Sequence, residues 1–193
     1  MAGFGEKVKG FLVSPVSTFQ EVKGEDLGSV VKYFIVLALV FSILCTIIFA
    51  AIGSMITSFM PTNMLPFGAA GGVVGAVVLF ITLIVGLILG LFIGGAILHI
   101  FVYIVGGRKG YAQTVKAMGY GMTPTLLLGW IPVIGIIAGI WALIVEILGI
   151  RELHEISTGK AVLAVLLPAI ISGIIVAIAA TLYGFSAGML STP

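Results

Sequence analysis

Four long apolar runs limit what this chain can fold into. They cover residues 31–56, 71–105, 112–150 and 161–183. A helix needs about 20 mostly apolar residues to cross the hydrocarbon core of a bilayer, and each run is long enough. Because 61% of the residues are hydrophobic and only 8% are charged, water could not solvate the surface of such a fold. The chain is therefore predicted to be an all-α, polytopic transmembrane helical bundle.

The run at 112–150 is interpreted as two spans with a turn between them. Trp130, Ile131 and Pro132 lie near its middle. A proline ends or kinks a helix because it has no amide donor, and a tryptophan suits the membrane surface. This interpretation predicts five spans, at 31–56, 73–105, 113–129, 133–150 and 161–183.

The distribution of positive charge supports five spans. Lys and Arg accumulate on cytoplasmic loops, and five spans with a cytoplasmic N-terminus place all nine Lys and Arg residues on that side. Four spans would leave Arg151 and Lys160 outside. We therefore expect a cytoplasmic N-terminus and a C-terminus on the outside.

Residues 1–30 are predicted to form a cytoplasmic segment that precedes the transmembrane domain at 31–193. Apolar residues recur there at helical spacing, at Phe4, Val8, Phe11 and Leu12. This pattern predicts a short amphipathic helix in the membrane interface. The alternative is a connector that packs on the bundle.

Small residues recur every four positions in several spans. Helices in lipid associate through close backbone contacts, which small residues permit. The predicted packing residues are Gly86, Gly90, Gly94, Gly135 and Gly139. They serve either packing within the chain or a homo-oligomer, and the sequence does not separate the two.

Glu146 is the only acidic residue inside a predicted span. His99, Tyr103 and Lys116 lie at comparable predicted depth, so the four residues are expected to form an intramembrane polar cluster. Ionisable groups at this depth are candidates for function. The cluster is either structural, with its groups satisfying one another, or the site of a transporter or channel for an ion or small solute.

Predicted helix breaks at Pro124 and Pro132 favour the transport alternative, because carriers use broken helices at their sites. Catalytic residues, a metal site and a cofactor are not predicted. His154 and Glu155 begin the zinc motif H-E-x-x-H, but position 158 is Thr. Four basic residues are instead expected to contact lipid headgroups or a partner: Arg108, Lys109, Arg151 and Lys160.

Three groups of residues resemble the Yip domain proteins, five-span membrane proteins named for Ypt/Rab interaction. After the second span come two glycines and then Tyr111, Gln113, Thr114, Tyr120 and Pro124. The N-terminal stretch is similar at Ser14, Pro15, Thr18, Phe19 and Val22. The stretch before the last span is similar at Gly149, Ile150, Arg151, His154, Ser157, Lys160 and Ala161.

The resemblance implies five crossings, a cytoplasmic N-terminus and a compact prokaryotic type of member. Eukaryotic relatives look like trafficking adaptors of the endoplasmic reticulum and Golgi that engage Rab GTPases and one another. The leading hypothesis is a non-enzymatic scaffold, membrane-shaping protein or trafficking-like adaptor. Its expected partners are membrane lipids, a further copy of itself, and a small GTPase or other membrane protein, but not nucleic acid. We expect a prokaryotic cell membrane, or the endoplasmic reticulum or Golgi in a eukaryote.

Overall fold

A computed structural model describes residues 3–59 and 72–190, and all regular secondary structure in these two ranges is helical. The prediction of an all-α fold is confirmed there. A π-helical segment, Gly90–Gly94, joins the α-helices Gly72–Leu89 and Gly95–Ile104. The α-helices are α1 Phe4–Val13, α2 Pro15–Val22, α3 Leu27–Phe59, α4 Gly72–Leu89, α5 Gly95–Ile104, α6 Tyr111–Gly121, α7 Thr123–Leu128, α8 Ile134–His154 and α9 Thr158–Leu190.

Among the described residues, four helical stretches are long and apolar enough to cross a membrane. They are Leu27–Ala51, Gly72–Ile104, Ile134–His154 and Thr158–Thr181. These stretches coincide with four of the five predicted spans. The remaining prediction, at 113–129, falls on α6 and α7, which are 11 and 6 residues long. Five crossings and the sidedness of the termini therefore stay predictions.

The helix breaks between α6 and α7, next to Pro124. Pro124 has no N–H group to donate to the carbonyl of Tyr120, one helical turn earlier. The hydroxyl of Thr123 donates to that carbonyl instead, at 2.6 Å. A turn that contains Pro132 then separates α7 from α8. Both breaks lie near the prolines from which they were predicted.

Three connections meet at one end of the bundle. The carboxylate of Glu155, between α8 and α9, forms ion pairs with Lys23, between α2 and α3, and with Lys109, between α5 and α6. We call Lys23, Lys109 and Glu155 the loop junction, and this end of the bundle the charged end. Gly106 and Gly110 have φ values of +105° and +90°, which a residue with a side chain rarely adopts.

The buried core is concentrated toward the charged end. There α6 packs against α8, α5 and α3, while α9 packs against α5 and α8. The parts of α3, α4 and α9 farther from the loop junction have exposed apolar side chains, including Ile47, Val77 and Ile174. We call this opposite end the apolar end.

The N-terminal segment forms two helices, where one short amphipathic helix was predicted. Phe11 of α1 and Phe19 of α2 are buried in the same core as α6. Gln20 of α2 donates to Glu152 at 3.1 Å, and Lys23, which follows α2, pairs with Glu155. Helix α2 therefore lies along α8 and parallel to it, whereas α1 packs against α2 and α7.

Candidate functional site

The charged end contains a polar cluster that joins α1, α6 and the turn before α3. The carboxylate of Glu25 lies 2.6 Å from the ammonium of Lys7 and accepts a hydrogen bond from the phenol of Tyr120 at 2.5 Å. Lys116 joins the cluster from α6. We call Lys7, Glu25, Lys116 and Tyr120 the charged latch, because together they fasten the N-terminal helices to the bundle.

Lys116 is buried, with 3% of its surface exposed. Its ammonium donates to the backbone carbonyls of Lys23 at 2.9 Å and Glu25 at 2.6 Å. A buried ammonium is costly unless its donors are paired. Here it satisfies two carbonyls of the α2–α3 turn and so fixes the path of the chain into α3.

Aromatic rings line the apolar side of the charged latch. The ring of Phe11 stacks on that of Tyr120 with centroids 4.7 Å apart, and Tyr33 meets Tyr120 edge-on at 5.1 Å. The hydroxyl of Tyr33 lies 2.9 Å from that of Thr123, at the break between α6 and α7. The latch is thus packed against the broken helix on one side and α3 on the other.

The pKa of Glu25 reflects these contacts. Burial alone would raise it, but hydrogen bonds from Lys7 and Tyr120 and the nearby charges of Lys7 and Lys116 outweigh burial and lower the pKa below 4.5. Glu25 is therefore a carboxylate at neutral pH. The latch holds together as a set of charge-assisted hydrogen bonds.

A second polar group links α5, α6 and α8. The hydroxyl of Thr114 lies 2.8 Å from Nδ1 of His99 and 3.0 Å from Nε2 of His154. We call these three residues the histidine bridge. Nδ1 of His154 has no hydrogen-bond partner in the described part of the chain. A methyl group added at Gly107 would lie 3.1 Å from it.

One hydroxyl between two imidazoles can pass a proton or fix the ring orientations, since it both donates and accepts. Within residues 3–59 and 72–190, no three His, Cys, Asp or Glu side chains come together as metal ligands. Because Nδ1 of His99 and Nε2 of His154 are bound to Thr114, the histidine bridge leaves one ring nitrogen of each histidine for any ligand.

The structure distributes the four residues of the predicted polar cluster over different surroundings. His99 belongs to the histidine bridge and Lys116 to the charged latch. Tyr103 is 56% exposed, and the guanidinium of Arg108 lies 3.6 Å from its ring centroid. Lys116 does not pair with Glu146. Glu146 itself forms no hydrogen bond or ion pair with another described side chain.

Glu146 lies at a close approach of α8 to the end of α6. A methyl group added at Gly121 would lie 2.9 Å from Cα and 3.1 Å from the backbone nitrogen of Glu146. The residue is half-buried. A polar side chain of α8 is thus placed beside the break in the α6–α7 helix.

The four basic residues predicted to contact lipids also differ. Lys109 belongs to the loop junction, and Arg151 pairs with Glu152 at 2.6 Å. Arg108 and Lys160 are exposed and form no ion pair with a described acidic side chain. Of these four residues, Arg108 and Lys160 therefore leave their charge available to anionic headgroups.

The predicted packing glycines divide into two sets. A methyl group at Gly94 would lie 3.0 Å from Cε of Met118, and one at Gly135 would lie 2.6 Å from the carbonyl oxygen of Gly129. A methyl group at Gly86, Gly90 or Gly139 would meet no atom within 4 Å. Only the first two permit a close approach within the chain.

Lys7, Glu25 and Tyr120 were not among the predicted site residues. Lys7 and Glu25 precede the first span, so a search for charged groups at membrane depth passes over them. Tyr120 was noted only for its place in the family pattern. One feature of the sequence could have pointed to this site. Lys7 and Phe11 are four residues apart, and so they share the face of α1 that meets Tyr120.

The family model described as the Yip1 domain matches residues 9–180, which include the charged latch from Glu25 onward and the histidine bridge. No curated protein and no solved structure matches the chain.

Proposed function

The chain belongs to the Yip1 domain family of membrane proteins, and on this premise we propose that it is a non-enzymatic scaffold that shapes the membrane around it. The observation that carries the proposal is the difference in width between the two ends of the bundle. The charged end contains α1, α2, α5, α6 and α8 beside the first parts of α3 and α9. The apolar end contains the remaining parts of α3, α4 and α9.

A helix with its side chains is about 10–12 Å across, so each added helix occupies roughly 100 Å² of cross-section. Several more helices at the charged end make the protein a wedge. A wedge whose wide end lies at the level of the headgroups takes more area from one membrane surface than from the other, which favours curvature with the wide end on the convex side.

The exposed surface supports a second effect on the bilayer. Ile97, Ile100 and Ile104 of α5 are exposed and apolar almost to the charged end. At the same end, α1 exposes Lys9 and α2 exposes Glu21. Lipid would therefore reach farther toward the loop junction on one side than on the other, and a bilayer deforms locally to match such a boundary.

The charge distribution supports placing the charged end in the cytoplasm. Lys and Arg are retained on that side of a membrane. All three residues of the loop junction and all four of the charged latch lie at this end. The C-terminus would then be outside, as the sequence predicts. Lipids would be the first partner, and a small GTPase or other membrane protein would meet the exposed polar faces of α1 and α2.

Reconstitution into liposomes tests the proposal. Vesicles of a neutral lipid are formed with and without protein, and their diameters are measured by electron cryomicroscopy. We expect the mean diameter to fall, or tubules to form, as the protein-to-lipid ratio rises. Diameters that do not change with protein content would rule out membrane shaping.

Transport of an ion or small solute is a second candidate, favoured by Glu146. Its carboxylate forms no hydrogen bond with a described side chain, and it lies against the broken α6–α7 helix. Flux into liposomes would be compared for the parent and Glu146→Gln. Flux above background that is lost in the variant would support transport, and equal background flux would remove it.

A further inference from the structure

Helix α7, helix α8 and the turn between them form a hairpin. The tip of this hairpin has no polar side chain that is free to bind water. From Leu126 to Val145 the sequence contains no charged, hydroxyl or amide side chain. The only side-chain N–H groups are those of two tryptophans. Trp130 donates to the carbonyl of Leu127 at 2.7 Å, and Trp141 donates to that of Leu12 at 3.1 Å. Both indoles are therefore satisfied within the protein.

Much of the backbone of the turn is also paired internally. The N–H groups of Gly129, Ile131, Ile134 and Gly135 donate to carbonyls between Thr125 and Pro132, at 2.7–3.1 Å. The bond from Ile134 to Pro132 requires φ of +70° at Val133, an unfavourable value for a β-branched residue. Irregular backbone without water must pair its own polar groups, and this turn pairs four N–H groups, one of them at the cost of strain.

The tip is apolar and uncovered. Val133 is 74% exposed, Ile136 70% and Ile137 66%. Surfaces of this kind meet water at a high cost. Acyl chains are the solvent that fits them.

Helix lengths place the tip well short of the apolar end. The loop junction fixes one end of α8 and one end of α9 at the same level. From there α8 extends 21 residues and α9 extends 33, so α9 reaches about 18 Å farther. If the tip lay at the far membrane surface, residues 179–190, which carry no charge, would project into water.

The N-terminal helices show where the hydrocarbon begins. Their contacts with α8 extend from Trp141, which donates to Leu12, to Glu155, which pairs with Lys23. That interval is roughly 20 Å of helix. Over it, α1 and α2 expose Lys9, Ser17 and Glu21 and flank an open groove of about 580 Å³. Exposed charges are costly inside hydrocarbon, so this layer lies in headgroups or water.

The remaining lengths then fit one bilayer. Beyond the level of Trp141, α9 continues for roughly 28 Å, close to the 30 Å of a hydrocarbon core. Only about 10 Å of α8 extends beyond that level. We propose that the α7–α8 hairpin is re-entrant: its tip lies among the acyl chains of the leaflet at the charged end, and only α3, the α4–α5 helix and α9 cross the membrane.

This topology changes only the position of the turn at Pro132 and leaves the sidedness of the charged loops as the charge distribution predicts. A hairpin that enters and leaves on the same side of the membrane places the segments after it on the same side as two full crossings would. Counting charges therefore could not distinguish the two arrangements. The inference is independent of whether the protein bends membranes.

Cysteine labelling tests the position of the tip. In a Cys45→Ala background, which removes the single natural cysteine, single cysteines are introduced by Val133→Cys, by Asn63→Cys in the predicted outer loop, and by Lys160→Cys at the charged end. A membrane-impermeant maleimide is added to sealed vesicles of each orientation. We expect the two controls to be labelled from opposite sides. The Val133→Cys protein should be labelled from neither side, yet fully after denaturation.

Labelling of Val133→Cys from the same side and at the same rate as Asn63→Cys would overturn the proposal. A second measurement identifies what covers the tip. Trp141→Phe leaves Trp130 as the only tryptophan, and lipids brominated along their acyl chains should quench its fluorescence more than a quencher at the headgroup. Absence of quenching at every depth would mean that protein, such as a second copy, covers the tip, which would also overturn the proposal.

Discussion

The phenol of Tyr120 donates a hydrogen bond to the carboxylate of Glu25 at 2.5 Å, and so links the middle of the bundle to the turn that enters α3. The same carboxylate binds the ammonium of Lys7, which α1 contributes. Docking of the N-terminal helices thus depends on an acceptor that two separate elements share. By holding α1 and α2 on the bundle, the charged latch keeps the charged end wide. Removal of the latch should make this end narrower.

Tyr120→Phe tests the latch directly. The substitution keeps the ring that stacks on Phe11 and removes only the hydroxyl. A hydrogen bond to a charged group contributes about 1.5–3 kcal/mol, so its loss should weaken the docking of α1. We therefore expect trypsin to cleave the variant at Lys7 and Lys9 faster than the parent in detergent. Tyr103→Phe is the matched control, because Tyr103 is exposed. Equal cleavage rates in the parent and both variants would contradict the latch.

Lys116→Met should destabilise the α2–α3 turn. Methionine fills much of the same space but leaves the carbonyls of Lys23 and Glu25 without their donor. An unsatisfied buried polar group costs about 1–3 kcal/mol, which thermal unfolding in detergent would detect as a lower midpoint. Lys160→Met, on an exposed lysine, should leave the midpoint unchanged. If the midpoint fell equally in both variants, the loss of one positive charge would explain the change, and the role of Lys116 in the turn would be contradicted.

The loop junction should weaken in acid. Hydrogen bonds and charge from Lys109 and Lys23 lower the pKa of Glu155 from 4.5 to about 2. Because the folded-state pKa is depressed, the contribution of Glu155 to stability is complete above pH 4.5 and is lost as the pH falls toward 2. The stability difference between the parent and Glu155→Gln should therefore shrink over this interval.

High salt should reduce the same difference at neutral pH, since the ion pairs of Glu155 are exposed. A difference that is constant from pH 7 to pH 2 would contradict the assignment. Thermal unfolding of the two proteins in parallel buffers provides the measurement.

Gly149→Ala should disrupt the contact between α2 and α8. A methyl group there would lie 2.5 Å from Cζ of Phe19, a ring buried in the core. Overpacking of this kind costs about 1–3 kcal/mol. Gly139→Ala on the same helix meets open space and should be neutral or slightly stabilising. A neutral Gly149→Ala would mean that α2 does not pack against α8.

The helices were predictable because apolar length and proline position each act locally. The runs around α3, α8 and α9 exceed the span length, and Pro124 cannot continue the hydrogen-bond pattern of α6. The contact partners were harder to predict. The predicted depth of each residue along its helix placed Lys116 level with Glu146. Depth does not give the direction in which a side chain points, and Lys116 in fact reaches the α2–α3 turn.

The glycine pattern shows the same limit. Spacing of four residues identifies a helix face, yet it does not say whether that face meets another helix or lipid. Gly94 meets Met118, whereas Gly86 and Gly90, at the same spacing, meet nothing within 4 Å. Glu25 was missed for a different reason: it is charged and lies before the first span, where charge is ordinary.

Curvature sorting tests the central proposal most directly. Fluorescently labelled protein in giant vesicles is allowed to equilibrate with a thin tube pulled from the same membrane, and its density on the tube is compared with that on the flat surface. Molecules whose charged end faces outward should be enriched on the tube, and molecules of the opposite orientation should be depleted. Equal density on tube and vesicle for both orientations would contradict a wedge that shapes membranes.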